Sequence, residues 1–251
     1  MSAKLEELDW RQTPMGELSL RRRLEPSLQV DVYEVRLGDE FLMSSLFTVA
    51  EVELARLALA QVSGDALDVL VGGLGLGYTA QAALGDGRVR RVQVVEAQSA
   101  VIDWHRRHLL PVSLDLTSDD RCALVEGDFF AAVASNDFAA SGASGPSGSF
   151  GADAPPRWHA ILVDIDHTPS HLLHPSHAAF YTTEGLTRLA EQLHPGGMFG
   201  LWSDDPPDHA FLALLGEIFT QSSAEVVTFD NHYTHELSAN TVYLAQTAHA
   251  P

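Results

Sequence analysis

The residues of this chain best suited to chemistry are a cluster of glycines and the acids that close a series of short apolar runs. Asp68-Val-Leu-Val-Gly72-Gly73-Leu-Gly75-Leu-Gly77-Tyr-Thr passes from an apolar run through Gly-x-Gly-x-Gly into a helical pattern. Gly73, Gly75 and Gly77 let the chain turn tightly and let a ligand approach the backbone, while the next helix start offers free N–H groups. Twenty-three residues after Gly73, Val92-Gln-Val-Val-Glu96 ends a second run in an acid, and a carboxylate there can accept both hydroxyls of a ribose. Glu126-Gly127-Asp128-Phe129 ends a third. Asp128 can accept from the exocyclic amine of a purine with apolar Phe129 beside it, or it can cap the helix that follows. Ile161-Leu-Val-Asp164-Ile-Asp166-His167 ends a fourth. An acid there is partly desolvated, which raises its pKa and suits it to taking a proton from an amine; its alternative role is to cap a loop. Asp164 and Asp166 share one side of an extended chain and could together hold a cationic amine. Asp204, after Leu201-Trp202-Ser203, is a further acceptor-side acid or a solvated loop residue before Pro206-Pro207.

These acids need a scaffold that brings strand ends together. From Asp65 onward, apolar strands alternate with amphipathic helices, which implies a three-layer α/β fold with a seven-stranded, mostly parallel sheet. Strands are expected at 67–71, 92–95, 123–126, 160–165, 198–202, 225–229 and 241–245, the last two as an antiparallel hairpin at one edge. Helices are expected at 79–84, 100–108, 130–134, 184–192 and 209–219. Before this, residues 1–47 read as a small antiparallel β unit, with strand-like alternation in Gly16-Glu-Leu-Ser-Leu20 and Leu28-Gln-Val-Asp-Val-Tyr-Glu-Val35. Thr48-Val-Ala-Glu51 has the spacing of a capping box opening a helix to about Val62. Residues 48–251 then form the main domain. The segment 134–156, rich in Ser, Gly, Ala and Pro, reads as a flexible insertion.

Composition narrows the function classes. The chain carries 15 Lys+Arg against 34 Asp+Glu, a formal charge of −19, with 45% hydrophobic and 20% charged residues. That is too apolar for a disordered acidic chain, and it repels nucleic acid and anionic lipid. No nucleic-acid or membrane partner is expected; a small-molecule amine or similar acceptor fits better. The single Cys122 cannot form an intramolecular disulfide, and no run reaches the length of a leader or membrane span, so a cytoplasmic protein is the expectation.

With these residues in place the sequence resembles the spermidine synthase family of polyamine aminopropyltransferases, which share the class I S-adenosylmethionine-dependent methyltransferase fold. The resemblance runs through the Gly73–Gly77 loop, Val95-Glu96, Gly127-Asp128, Val163-Asp164 with Pro169, Phe180-Tyr181 and Leu193-His-Pro-Gly-Gly197. It implies Asp164 as general base, Glu96 on the ribose, Asp128 on the adenine, and Gln29 facing the donor. It places Tyr181 with the acceptor. It also implies an adenosylsulfonium co-substrate, decarboxylated S-adenosylmethionine or S-adenosylmethionine, and aminopropyl transfer to an amine. Three departures matter. Leu76 stands where the family's loop carries an aspartate for the donor ammonium; Asp166 comes early, with His167 near the expected place of a second acid; and Val71 replaces an acid common in methyltransferases. Methyl transfer is therefore the alternative, and a non-catalytic nucleoside-binding homologue a further one. His167, His171, His174 and His177 have spacings that could hold a metal, but Pro169 and Pro175 interrupt any helix there, and no metal is expected. Exposed strands of the β unit could pair between subunits, making a homodimer plausible.

Overall fold

The structure, a computed structural model, describes residues 5–138 and 157–250. Its first element is an antiparallel meander of β1 (Glu6–Thr13), β2 (Gly16–Glu25), β3 (Val30–Leu37) and β4 (Glu40–Ser44). Helix α1 (Val49–Gln61) leads into the main unit. There β5 (Leu67–Gly72), α2 (Tyr78–Leu84), β6 (Val89–Glu96), α3 (Ser99–Arg106), α4 (Ser113–Ser118), β7 (Cys122–Glu126) and α5 (Phe129–Ser135) form the first half. The second half contains β8 (Trp158–Val163), a 3-10 turn (Pro175–Ala179), α6 (Thr183–Ala190), β9 (Leu193–Ser203), α7 (His209–Ile218), β10 (Gln221–Asn231) and β11 (Glu236–Gln246).

The seven strands lie in the order β10-β11-β9-β8-β5-β6-β7. β7, β6, β5, β8 and β9 run parallel, and β11 and β10 close the edge as the expected antiparallel hairpin. The chain travels outward from β5 through β6 to β7, then returns to place β8 on the other side of β5. This reversal makes the β5/β8 boundary the topological switch point, where the loops after neighbouring strands diverge and leave a crevice. The Gly73–Gly77 loop follows β5, and Asp164 follows β8, so the two strongest sequence signals meet there.

Alternation along the central strands feeds two cores. Val69 and Val71 of β5 and Ala160 and Leu162 of β8 pack on one face, while Leu70, Ile161 and Val163 pack on the other. The near-continuous apolar runs of the sequence reflect this two-sided burial. Leu18, Leu20 and Val35 of the meander join the first core. Polar clamps fix the meander at both sides: the Trp104 indole N–H donates to Asp9 at 2.7 Å and Arg11 pairs with Asp103 at 2.8 Å. Opposite, Tyr233 in the β10–β11 turn donates to Glu25 at 3.2 Å and also accepts from Arg23. No described helix is long and apolar enough to cross a membrane.

Several expectations need correction. β1 and α4 were not anticipated, because β1 lacks strict apolar alternation and α4 spans only six residues. The capping box does not form: Thr48 makes no side-chain cap bond, and Glu51 lines a cavity instead. α5 continues through Ser135, two residues into the stretch read as a flexible insertion; residues 139–156 of that stretch lie outside the described residues.

Candidate active site

Two cavities meet at the switch point. The smaller, about 310 Å³, is lined by Gly73, Glu96, Asp128 and Phe129. The larger, about 420 Å³, is lined by Glu51, Tyr78, Trp202 and Asp204. Both fall in the ~300–1,000 Å³ range usual for small-molecule sites. Gly75, Asp164, Met43 and Leu173 line both, so Asp164 stands at the junction.

The smaller cavity gathers the acids singled out above for a nucleoside, Glu96 and Asp128. Glu96, at the end of β6, accepts from Leu74 N–H at 2.9 Å on one oxygen and from Gln98 N–H at 2.7 Å on the other. The Gly75 and Ala97 amides also point at this carboxyl, which lines the cavity where a ribose diol could donate to it. Burial raises the pKa of this carboxyl, and the backbone amides that point at it pull the other way. Asp128 takes the capping role, its Oδ1 accepting from Ala131 N–H at 3.1 Å, and the residue also lines the cavity. The buried Phe129 ring packs so closely on the strand end that a Cβ at Gly72 would lie 2.7 Å from it. His177 completes this wall, its ring 4.1 Å from that of Phe130.

Gly73 explains why the loop needs glycine. At φ +90° its hypothetical Cβ would fall 2.1 Å from the Asp164 carbonyl oxygen. The loop of β5 and the end of β8 therefore touch through backbone alone, reinforced by Asp164 N–H donating to Gly72 at 2.9 Å. Gly77 lines the larger cavity rather than the nucleoside side, and Gly75 lines both, so the loop crosses from one to the other. Beneath it, His105 bonds the Gly75 carbonyl through Nε2 at 3.0 Å. Burial lowers the His105 pKa to about 4. The neutral ring must therefore carry its proton on Nε2, because a carbonyl only accepts; Ser113 Oγ then serves Nδ1 at 3.2 Å.

Asp164 accepts from the Thr79 hydroxyl at 2.9 Å. Burial lifts its pKa to about 6, against the lowering effect of that hydrogen bond. Glu51, from the first turn of α1, is lifted to about 8 by burial and then by the negative charges of Asp164 and Asp204. Tyr78 is raised by burial and by the Glu51 charge. Carboxyl groups held near or above neutrality beside one another can take a proton at working pH, as a general base for an amine must. Asp204 lines the far part of the larger cavity and accepts from Asn240 at 2.7 Å; its backbone N–H donates to His167 at 2.8 Å. His167 lines the same cavity and bonds Glu40 at 3.1 Å. No arginine or lysine is among the described residues that line either cavity.

Three expected site residues are placed elsewhere. Asp166 is 1% exposed and saturated by donors: Leu173 N–H at 2.8 Å, His177 Nδ1 at 2.8 Å and the Tyr181 hydroxyl at 2.9 Å. It ties down the loop after β8, and Tyr181 is its partner rather than an acceptor ligand. Burial pushes the Tyr181 phenol well up, with Asp166 adding to the effect. Gln29 sits exposed in the β2–β3 turn at φ +55°, where its amide donates to Pro26, and it lines neither cavity. Glu51, Thr79 and Tyr78 were not singled out for function. The Thr-x-x-Glu spacing gave Glu51 a complete local explanation, and Thr79 read as an ordinary helix-start residue. Among the described residues no group of three His, Cys, Asp or Glu side chains is arranged to hold a metal.

No protein-family model and no curated protein matches the sequence. Solved structures do. A spermidine synthase in complex with the transition-state analogue AdoDATO is 15% identical, with a TM-score of 0.71, over 99% of this chain and 76% of that one. Spermidine synthase from Thermotoga maritima is 16% identical, with a TM-score of 0.70, over the same shares. Human methyltransferase-like protein 13 in complex with SAH is 19% identical, with a TM-score of 0.50, over 80% of each chain. The chain thus has a spermidine-synthase-like fold of the class I methyltransferase type.

Proposed function

We propose that this protein is a transferase that binds an adenosylsulfonium donor and moves the donor's aminopropyl group to an amine. The observation that carries this reading is the meeting of two unlike cavities at Asp164. One presents a ribose-type carboxylate and an adenine-type acid around apolar walls. The other presents three carboxyl groups and no lysine or arginine among its described lining residues. A wall of that sign is matched by cationic ligands, and a chain terminating in an ammonium is the simplest of them. The likeness to spermidine synthases supports the reading through fold.

In this reading Glu96 and Asp128 hold the nucleoside, so that the sulfonium lies near the junction. Asp204 and the neighbouring Asn240 receive the distal end of the acceptor. Asp164 removes a proton from the attacking ammonium. The freed nitrogen lone pair forms the new N–C bond as the C–S bond breaks, its electron pair leaving on sulfur to give methylthioadenosine. Apart from the proton transfer, rate enhancement comes from alignment of nitrogen, carbon and sulfur in a site that excludes water. Thr79 orients Asp164 through its hydroxyl, and Tyr78 walls the same cavity.

Methyl transfer from S-adenosylmethionine is the second reading, favoured by apolar Leu76 in the donor loop. Against it, neither cavity offers a described cation for the α-carboxylate of that donor. Calorimetry with methylthioadenosine, followed by mass spectrometry of products from both donors and a mixture of amines, tests the two. Binding of methylthioadenosine and its release from the decarboxylated donor are expected. A hundredfold or greater loss on Asp164→Asn is expected for a general base. Release of S-adenosylhomocysteine instead would establish methyl transfer, and no binding of any nucleoside would overturn both readings.

A further inference from the structure

We infer that Glu51 holds the ammonium of the donor's transferable chain, supplying from helix α1 the charge that the glycine loop lacks at Leu76. The inference rests on the aminopropyl reading above and adds a residue to it. The larger cavity opens at the glycine loop, where Gly75, Leu76 and Gly77 form one wall. Leu76 is apolar and 5% exposed, packed in the same core as Leu74 and Val112. Its side chain has no polar atom to offer a cation.

Glu51 faces the same place from another element. It lines this cavity with the loop residues, its charge reaches the Tyr78 phenol immediately after Gly77, and the charges of Asp164 and Asp204 reach it. It therefore lies among the loop, the junction and the far wall. Apart from its own backbone N–H, it accepts no hydrogen bond in the described structure. The other acids of the site differ in this respect: Asp164 has Thr79, Asp204 has Asn240, and Glu96 has two amides. With only its own backbone N–H as donor, the ionised form of Glu51 is poorly compensated in this cavity, and a ligand ammonium would favour that form. With the nucleoside held by Glu96 and Asp128, the chain on sulfur leaves the junction into the larger cavity. The nearer carboxyl, Asp164, is then required for the acceptor's proton, and Asp204 lies with Asn240 on the far wall. That leaves Glu51 for the donor.

Donor binding in the absence of any acceptor isolates this role. Methylthioadenosine, which has no ammonium, serves as the internal reference for decarboxylated S-adenosylmethionine. On Glu51→Gln, the decarboxylated donor should bind roughly ten- to a hundredfold more weakly, the range for losing one hydrogen bond to a charged group. Methylthioadenosine should change less than about twofold, because its contacts lie on the other cavity. Should Glu51→Gln not fold, Glu51→Asp is read in the same way, a selective loss for the charged donor being expected from its shorter reach. Parallel changes for both ligands, or none for either, overturn the inference while leaving the nucleoside site standing. Failure of methylthioadenosine to bind the unaltered protein overturns the functional reading and this inference together.

Discussion

Glu51 also makes a prediction about the protein with nothing bound. Its carboxyl ordinarily titrates near 4.5, and in the fold it is lifted to about 8 by burial and by Asp164 and Asp204. A carboxyl raised on folding contributes fully below its unfolded pKa, and that contribution is lost as pH climbs toward the folded value. Over this window the native state binds more protons than the unfolded one, so stability falls with rising pH. Glu51→Gln replaces the neutral acid by a group of similar shape that never ionises. Its advantage over the unaltered protein should be small at pH 5 and large at pH 8. At about 1.4 kcal/mol per pH unit, the full shift sets an upper bound of roughly 4 kcal/mol at pH 8 and under about 1 kcal/mol at pH 5. Because the side chain is only half-buried, solvent screening reduces the realised gain to ~1–2 kcal/mol. For a chain of this size that corresponds to a Tm increase of roughly 2–8 °C at pH 8. Thermal unfolding of both proteins at pH 5 and pH 8, compared as a difference, cancels the groups that titrate in between independently of Glu51. Equal differences at the two pH values, or a destabilised variant at pH 8, would refute the placement of Glu51 in a carboxyl cluster. The same substitution is expected to weaken donor binding, so stability and function oppose each other at one residue.

Four further outcomes follow from the geometry. Thr79→Val removes the hydroxyl that favours ionised Asp164, and should move the acid limb of kcat/KM up by roughly one pH unit; an unmoved limb would separate Asp164 from the proton transfer. Gly73→Ala forces a Cβ toward the Asp164 carbonyl, 2.1 Å away, from a backbone at φ +90°; it should cost at least ~2 kcal/mol of stability and abolish methylthioadenosine binding by calorimetry. Glu96→Ala removes the diol acceptor and releases the Leu74 and Gln98 amides, so methylthioadenosine affinity should fall roughly a hundredfold. In direct competition, decarboxylated S-adenosylmethionine should bind at least about tenfold more tightly than S-adenosylmethionine, whose carboxylate meets acids and no described arginine or lysine.

The main sheet was legible because its signal is physically redundant. β5 and β8 are buried on both faces, so they had to be continuous apolar runs. Glycines at a strand end followed by an acid 23 residues on left few structural alternatives. The meander was less legible: β1 pairs only with β2 and presents much of its length to solvent, so burial imposes little hydrophobic alternation there. α4 is held by Leu116 against Gly77 and by the His105–Ser113 contact, neither of which has a sequence period.

At the site, the division between what could and could not be read follows the range of the contacts. Glu96 and Asp128 could be singled out because they stand at strand ends, which are local features, and both line one cavity. Asp166 was misassigned for the converse reason: its position two residues after Asp164 suggests a shared pocket, but Leu173, His177 and Tyr181, all later in the chain, supply three donors and turn it into a loop anchor. Glu51 failed in the opposite direction. Its spacing from Thr48 satisfies a capping rule, so nothing local demanded another role, and only the packing of α1 beside the glycine loop brings its carboxyl to Asp164 across more than a hundred residues. Apolar Leu76 in the glycine loop and the acid Glu51 on a neighbouring helix are unconnected in sequence. In the fold they face one cavity, where the apolar wall at Leu76 and the carboxyl of Glu51 become a single electrostatic question.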